Sequence, residues 1–203
     1  MSHYVAYLPL RNFMRPTKSM IAALTALLGL SGCGADSIPF YTAPIVLSCP
    51  DYAILEDAAT LTAFQDGPGR DITDVTVRAE ITQVRMECIT DVDSDTNTGH
   101  MEIKIIPIIA AEMGAANVAE DATLPYFIAI IGPDKEILYR EGLSMDVSFK
   151  NNRTRLIALA PSTTVELPIT PDIRNRYYQI YTGFELTEQQ AAFNRKRIRD
   201  RLK

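Results

Sequence analysis

The stretch 75–82 constrains the fold more than any other part of the chain. Val75, Val77, Ala79 and Ile81 fall on one side of an extended backbone, and Thr76, Arg78, Glu80 and Thr82 fall on the other. A period of two is the pattern of a half-buried strand, because successive side chains point to opposite faces of a sheet. After Gln83 the apolar phase moves to Val84, Met86 and Cys88. One extra residue near Thr82-Gln83 produces that shift, so a β-bulge is expected there.

The remaining elements read mostly as strands. Residues 45–48 begin a first strand just before Cys49-Pro50, and Asp66-Gly67-Pro68-Gly69-Arg70-Asp71 is turn chemistry. The run 101–111 is apolar and β-branched on both faces but contains Pro107, which cannot donate to a ladder; the strand therefore lies at an edge or bends there. Strands 126–131 and 136–139 flank Gly132-Pro133-Asp134-Lys135, a hairpin signature with proline suited to the first corner. Further strands fall at 145–149, 155–160, 164–169 and 177–184. About eight short strands separated by turn signals suggest an all-β chain, an antiparallel immunoglobulin-like β-sandwich, with a closed barrel as the alternative. Only 110–120 and the C-terminus read as helical. At the C-terminus, Thr187 with Gln190 at the third helical position forms a capping-box pattern, and Ala191, Ile198 and Leu202 make a thin apolar stripe.

The N-terminus is of a different kind. Arg15 and Lys18 precede an apolar run at 21–30, which Leu30-Ser31-Gly32-Cys33 closes. A membrane span needs roughly 20 apolar residues, and this run breaks into Gly34, Ala35, Asp36 and Ser37. It reads as a secretion signal, for which Met14-Arg15-Pro16-Thr17-Lys18 is itself an ordinary start. Residues 14–33 resemble bacterial lipoprotein precursors: a basic lead-in, a short apolar stretch, then a lipobox of one aliphatic residue, two small residues and cysteine. The resemblance covers this segment alone. It implies removal of 1–32, a diacylglyceryl and acyl lipid on Cys33, and a membrane anchor facing the periplasm. Because Gly34 rather than aspartate follows the cysteine, it also implies the outer rather than the inner membrane. At about 0.8 kcal/mol per buried methylene, one acyl chain holds marginally and two or more hold stably. The expected organisation is a signal at 1–32, a lipidated tether at 33–44, a β-sandwich at 45–186 and a basic C-terminal helix or tail at 187–203.

Without residues 1–32 the chain carries 17 basic and 25 acidic groups. Six of the basic groups and one acid lie in 195–203, so the body is strongly acidic and repels nucleic-acid phosphates. With Cys33 carrying lipid, two thiols remain, and an exported chain meets an oxidising compartment. Cys49 and Cys88 are expected to pair; the alternative is two buried, unpaired small hydrophobes.

Candidate chemistry is sparse. Asp91, Asp93, Asp95, Asn97 and Glu102 match positions 1, 3, 5, 7 and 12 of a calcium loop, but Thr96 stands where that loop needs glycine and both flanks read as strands. A polar hairpin loop explains the same residues. His100 is the one histidine beyond the signal, and Ser94 and Ser144 stand in no nucleophile motif. A zinc site of histidines and cysteines is lost if Cys49 and Cys88 pair. The interaction candidates are Tyr177 and Tyr181, on the face opposite Tyr178, and the cations Arg195, Arg197, Arg199 and Arg201, suited to anionic headgroups or an acidic partner. A packed tyrosine edge and a solvated helix end account for the same residues without any partner. The expected function is a non-enzymatic interaction or assembly module with an envelope protein partner, held by lipid and using no other cofactor. The alternative is an envelope hydrolase or small-ligand-binding protein with a carboxylate-lined cleft, which no spacing nominates.

Overall fold

The alternation at 75–82 is the start of a 19-residue strand that organises one of two sheets. The computed structural model describes residues 47–172 and 177–201. Cys33, the signal and the whole of the 33–44 tether lie outside the described residues, as do residues 45 and 46 of the expected first strand. Leu47 to Pro50 form no strand. The first strand instead follows the Cys49-Pro50 step.

Nine strands are described: β1 (Asp51–Ile54), β2 (Thr60–Phe64), β3 (Val75–Asp93), β4 (Thr98–Met113), β5 (Asp121–Ile131), β6 (Ile137–Ser148), β7 (Arg155–Leu159), β8 (Thr163–Ile169) and β9 (Gln179–Phe184). A helix, α1 (Glu188–Arg201), follows. One sheet has the order β1-β9-β5-β6, and the other runs β2-β3-β4-β7 with β8 also on β4. Every pairing is antiparallel except β1 with β9. No described helix is long and apolar enough to cross a membrane.

The two sheets share one core. Leu124, Tyr126, Ile128 and Ile130 of β5 and Ile180 and Phe184 of β9 join Val77, Ala79 and Ile81 of β3 and Ile103, Ile105 and Ile109 of β4 in a single buried cluster. Burying each large side chain contributes about 1.5–3 kcal/mol. Cys49 and Cys88 form a disulfide, with Cα atoms 5.7 Å apart and a sequence separation of 39. It ties the chain entering β1 to β3 of the other sheet.

Two local expectations hold in detail. Ile81 faces Ile109 and Gln83 faces Ile108, which leaves Thr82 as the extra residue of the bulge, its hydroxyl donating to the Ile108 carbonyl at 3.2 Å. Burial follows the new phase through Val84, Met86 and Cys88. The 132–135 turn closes as expected, with Lys135 N–H on the Gly132 carbonyl and Lys135 at φ 64°.

Pro107 requires a correction, because β4 is the central strand of its sheet and not an edge. Ala160 N–H donates to the Pro107 carbonyl, so the side of Pro107 that lacks an N–H faces away from β3. On that side the partner changes from β8, which ends opposite Ile105, to β7, which ends opposite Ile108. The proline sits in the joint between two partner strands, where its missing donor breaks no continuous ladder.

The helix expected at 110–120 is also absent. Ala110 and Ala111 pair with β3 and β7 in the last turn of β4, and Gly114 lies so close to the Val75 carbonyl that a Cβ there would overlap it. Pairing on both sides outweighs the helix propensity of an alanine-rich segment. The strands expected at 136–139 and 145–149 are one continuous β6. β1 and β2 were not anticipated. The C-terminal helix forms as expected: Thr187 N–H donates to Gln190 Oε1 at 2.9 Å and Gln190 N–H to Thr187 Oγ1 at 3.3 Å.

Candidate functional site

A concave, largely apolar surface lies on the outer face of the β1-β9-β5-β6 sheet, and Phe127 stands at its side. Phe127 faces Gly142 on β6 and Gly183 on β9, so neither cross-strand neighbour has a side chain to crowd the ring. The space at Gly183 is already used: a Cβ there would come within 2.7 Å of Ala58 Cβ and 3.1 Å of the Phe127 ring. Arg140 lays its guanidinium over the same ring, 4.9 Å from the centroid, and donates to Glu185 Oε1 at 3.0 Å.

Arg140 and Phe127 form a ridge between two grooves. On one side, a groove of 710 Å³ is floored by Ala129 and Ile131, walled by Leu55, Ile137 and Tyr181, and rimmed by Lys135 and Gln179. On the other, a groove of 420 Å³ runs under Asp57, Ala58, Glu185 and Leu186 towards Ala191 of α1. Ile137 is 63 % exposed beside the other apolar groups of this groove. No carboxylate lines the larger groove, so it does not form the acid-lined cleft of the alternative reading. A further depression on the outer face of the other sheet does hold Glu80 and Glu112, but Glu112 is engaged by Arg155 at 2.9 Å.

The residues singled out in the sequence distribute unevenly. Tyr181 lines the larger groove, its hydroxyl donating to Gln179 Oε1 at 2.9 Å. Tyr177 is half-exposed, whereas Tyr178 is buried and donates to the Pro168 carbonyl, as alternation implied. Arg195, Arg199 and Arg201 are exposed on α1. Arg197 is not free: its Nη2 donates to Thr60 Oγ1 at 2.8 Å, and burial, then the nearby Arg201 and Arg78, depress its pKa.

The acidic loop is a tight β3-β4 hairpin. Asp93 Oδ1 accepts from the N–H groups of Asp95 and Thr96 and from the Thr96 hydroxyl, which lowers the Asp93 pKa, and Asn97 takes φ 54°. Asp91 pairs with His100 across the ladder, and Glu102 lies two pairs further from the turn opposite Ile89, so the five calcium candidates do not wrap one centre. Among the described residues no group of three His, Cys, Asp or Glu side chains converges on a metal site.

Sequence reasoning missed one polar cluster. Glu141 of β6 points between the sheets, where Oε2 accepts from the Tyr139 hydroxyl at 2.5 Å and from Thr163 Oγ1 of β8 at 2.9 Å. These bonds, Tyr139 first, hold its carboxyl below the usual range. Burial pushes Tyr139 and Tyr126 up to about 12. The cluster ties the two sheets along one side. No family model, curated protein or solved structure matches the chain.

Proposed function

We propose that this chain is a lipid-anchored protein of the bacterial cell envelope whose two-sheet domain binds a protein partner and performs no catalysis. The observation that carries the binding part of this reading is the groove beside Phe127, an exposed and largely apolar surface formed with Leu55, Ala129, Ile131, Ile137 and Tyr181. Contiguous apolar surface of this sort marks an interaction site more often than a structural accident. The Cys49–Cys88 disulfide supports an exported location, since thiols persist reduced in the cytoplasm. The lipobox resemblance at Cys33 supports a membrane anchor facing the periplasm, at the outer rather than the inner membrane. The parallel β1-β9 pair beside antiparallel strands supports the finer description of the domain as an immunoglobulin-like sandwich.

Two measurements test the proposal. The mass of the N-terminal peptide after detergent extraction reads the anchor: a diacylglyceryl, acylated Cys33 is expected, and an unmodified Cys33 contradicts it. For binding, Ile137→Asp places a charge in the groove wall without touching the core. Proteins co-purifying with the wild type are expected to be lost from this variant, and an unchanged set contradicts the groove as the binding surface.

A further inference from the structure

A second surface, independent of the groove, follows from the hydrogen-bond parity of β7. In the β4-β7 register Ile108 faces Leu159 and Glu112 faces Arg155. Met113 N–H donates to the Thr154 carbonyl and Ala160 N–H to the Pro107 carbonyl, both at 2.8 Å. These bonds identify residues 154, 156, 158 and 160 as the ones whose backbone groups turn towards β4. The N–H and C=O groups of Arg155, Ile157 and Leu159 therefore point along the open edge. Their side chains lie on the outer face, where Ile157 is 74 % and Leu159 51 % exposed.

Bare edges invite strand addition, and folds blunt them with short strands, prolines, covers and inward charges. The other described edges each carry such a device. β1 has four residues. β6 turns Glu141 inward between the sheets. β8 bears Glu166 and Pro168. On β2, Ile81 N–H donates to the Ala59 carbonyl, so Thr60 presents its carbonyl outward, and Asn194 of α1 donates to that carbonyl. β7 is one residue longer than β1 and bears the outward Arg155, but within Arg155–Leu159 it has no proline, no helix cover and no inward charge.

We propose that two copies of this chain join β7 to β7, antiparallel, about a two-fold axis at Ile157. The sequence of the edge selects a second copy because it is complementary to itself in that register. Ile157 meets Ile157 of the partner copy, and Arg155 meets its Leu159. Each of these pairs brings together residues whose backbone groups are the free ones, so each exchanges two hydrogen bonds. On the outer face, Ile108, Ala110, Ile157 and Leu159 of one copy continue into the same residues of the other. A Glu112–Arg155 ion pair borders this apolar strip at either end, and the Arg155 stem lies beside the opposing Leu159. Such a closed, isologous contact ends at two copies. The balance between one copy and two depends on concentration.

Sedimentation velocity of the full-length chain in detergent, over a concentration series, reads the association. The wild type is expected to shift from monomer to dimer. Ile157→Pro is expected to stay monomeric at every concentration with an unchanged melting temperature, because the N–H it removes belongs to no bond with β4. Independently, Ile157→Cys is expected to give a disulfide-linked homodimer on mild oxidation, while Thr164→Cys on exposed β8 gives none. A wild type that remains monomeric throughout, or an Ile157→Pro variant that dimerises like the wild type, overturns the proposal. If Ile157→Pro fails to fold, the cysteine arm decides: no homodimer, or a cross-link to a different protein, overturns it in favour of a foreign strand.

Discussion

The five-stranded sheet is finished differently at its two ends. At the β2 end, α1 lies against the last strand, and Asn194, 2 % exposed, donates to both the Asp57 and the Thr60 carbonyls. Phe193 adds an edge-to-face contact with Phe64, ring centroids 5.4 Å apart. At the β7 end, three backbone positions and two large aliphatic side chains face outward with no cover among the described residues. The same sheet thus spends a helix on closing one edge and leaves the other open, which points to use of the open edge.

The comparison breaks first if β3, which carries β2 and pairs with the β4 strand that carries β7, loses its support. Cys88→Ser is expected to cost about 2–5 kcal/mol, the usual loss on removing a native disulfide from a small domain. Urea denaturation with and without reductant measures it, and reduction of the wild type should give a similar loss. The next largest effect belongs to the closed end alone. Asn194→Leu leaves two part-buried carbonyls without their donor, and is expected to lower stability by about 1–3 kcal/mol. It should also create a second associating edge, seen as higher oligomers in sedimentation. Ile157→Lys at the open end is expected to change stability by no more than about 0.5 kcal/mol while removing the dimer.

The smallest effect concerns the seam beside β8, and its sign follows from the pKa directions. Glu141 has a lowered pKa in the folded chain, so its contribution is present above the ordinary value of 4.5 and is lost as pH falls through the folded value. Tyr139 and Tyr126 are raised from 10.0 to about 12, so their contribution is present below pH 10 and is lost as pH rises towards 12. Thr163→Val removes one of the two donors to Glu141, and denaturation midpoints across the acid range should show a shallower loss than the wild type.

How much of this was legible in the sequence depends on whether the signal was local. The β3 alternation, its bulge at Thr82, the 132–135 turn and the Thr187 cap are written in neighbouring residues, and each forms as read. β1 and β2 were missed because they are short edge strands whose residues alternate weakly; β1 is almost wholly exposed. The 110–120 segment was misread because alanine content is a local signal, and the partners that override it lie 30–50 residues away in β3 and β7. Pro107 was half legible: the missing donor was evident, but the division of one side of β4 between two strands was not. The Phe127 groove was invisible because it requires knowing that Gly142 and Gly183 stand on either side of one phenylalanine. Arg197 looked like its exposed neighbours, and only the docking of α1 on Thr60 distinguishes it.

Residue-resolved amide exchange at several protein concentrations tests the difference between the two edges most directly. The Ile157 and Leu159 amides should exchange rapidly in dilute protein and become protected as concentration rises, while amides of the β2 edge beneath α1 do not change. Protection of Ile157 and Leu159 at every dilution, or none at any concentration, would contradict an open edge that closes by pairing with a second copy.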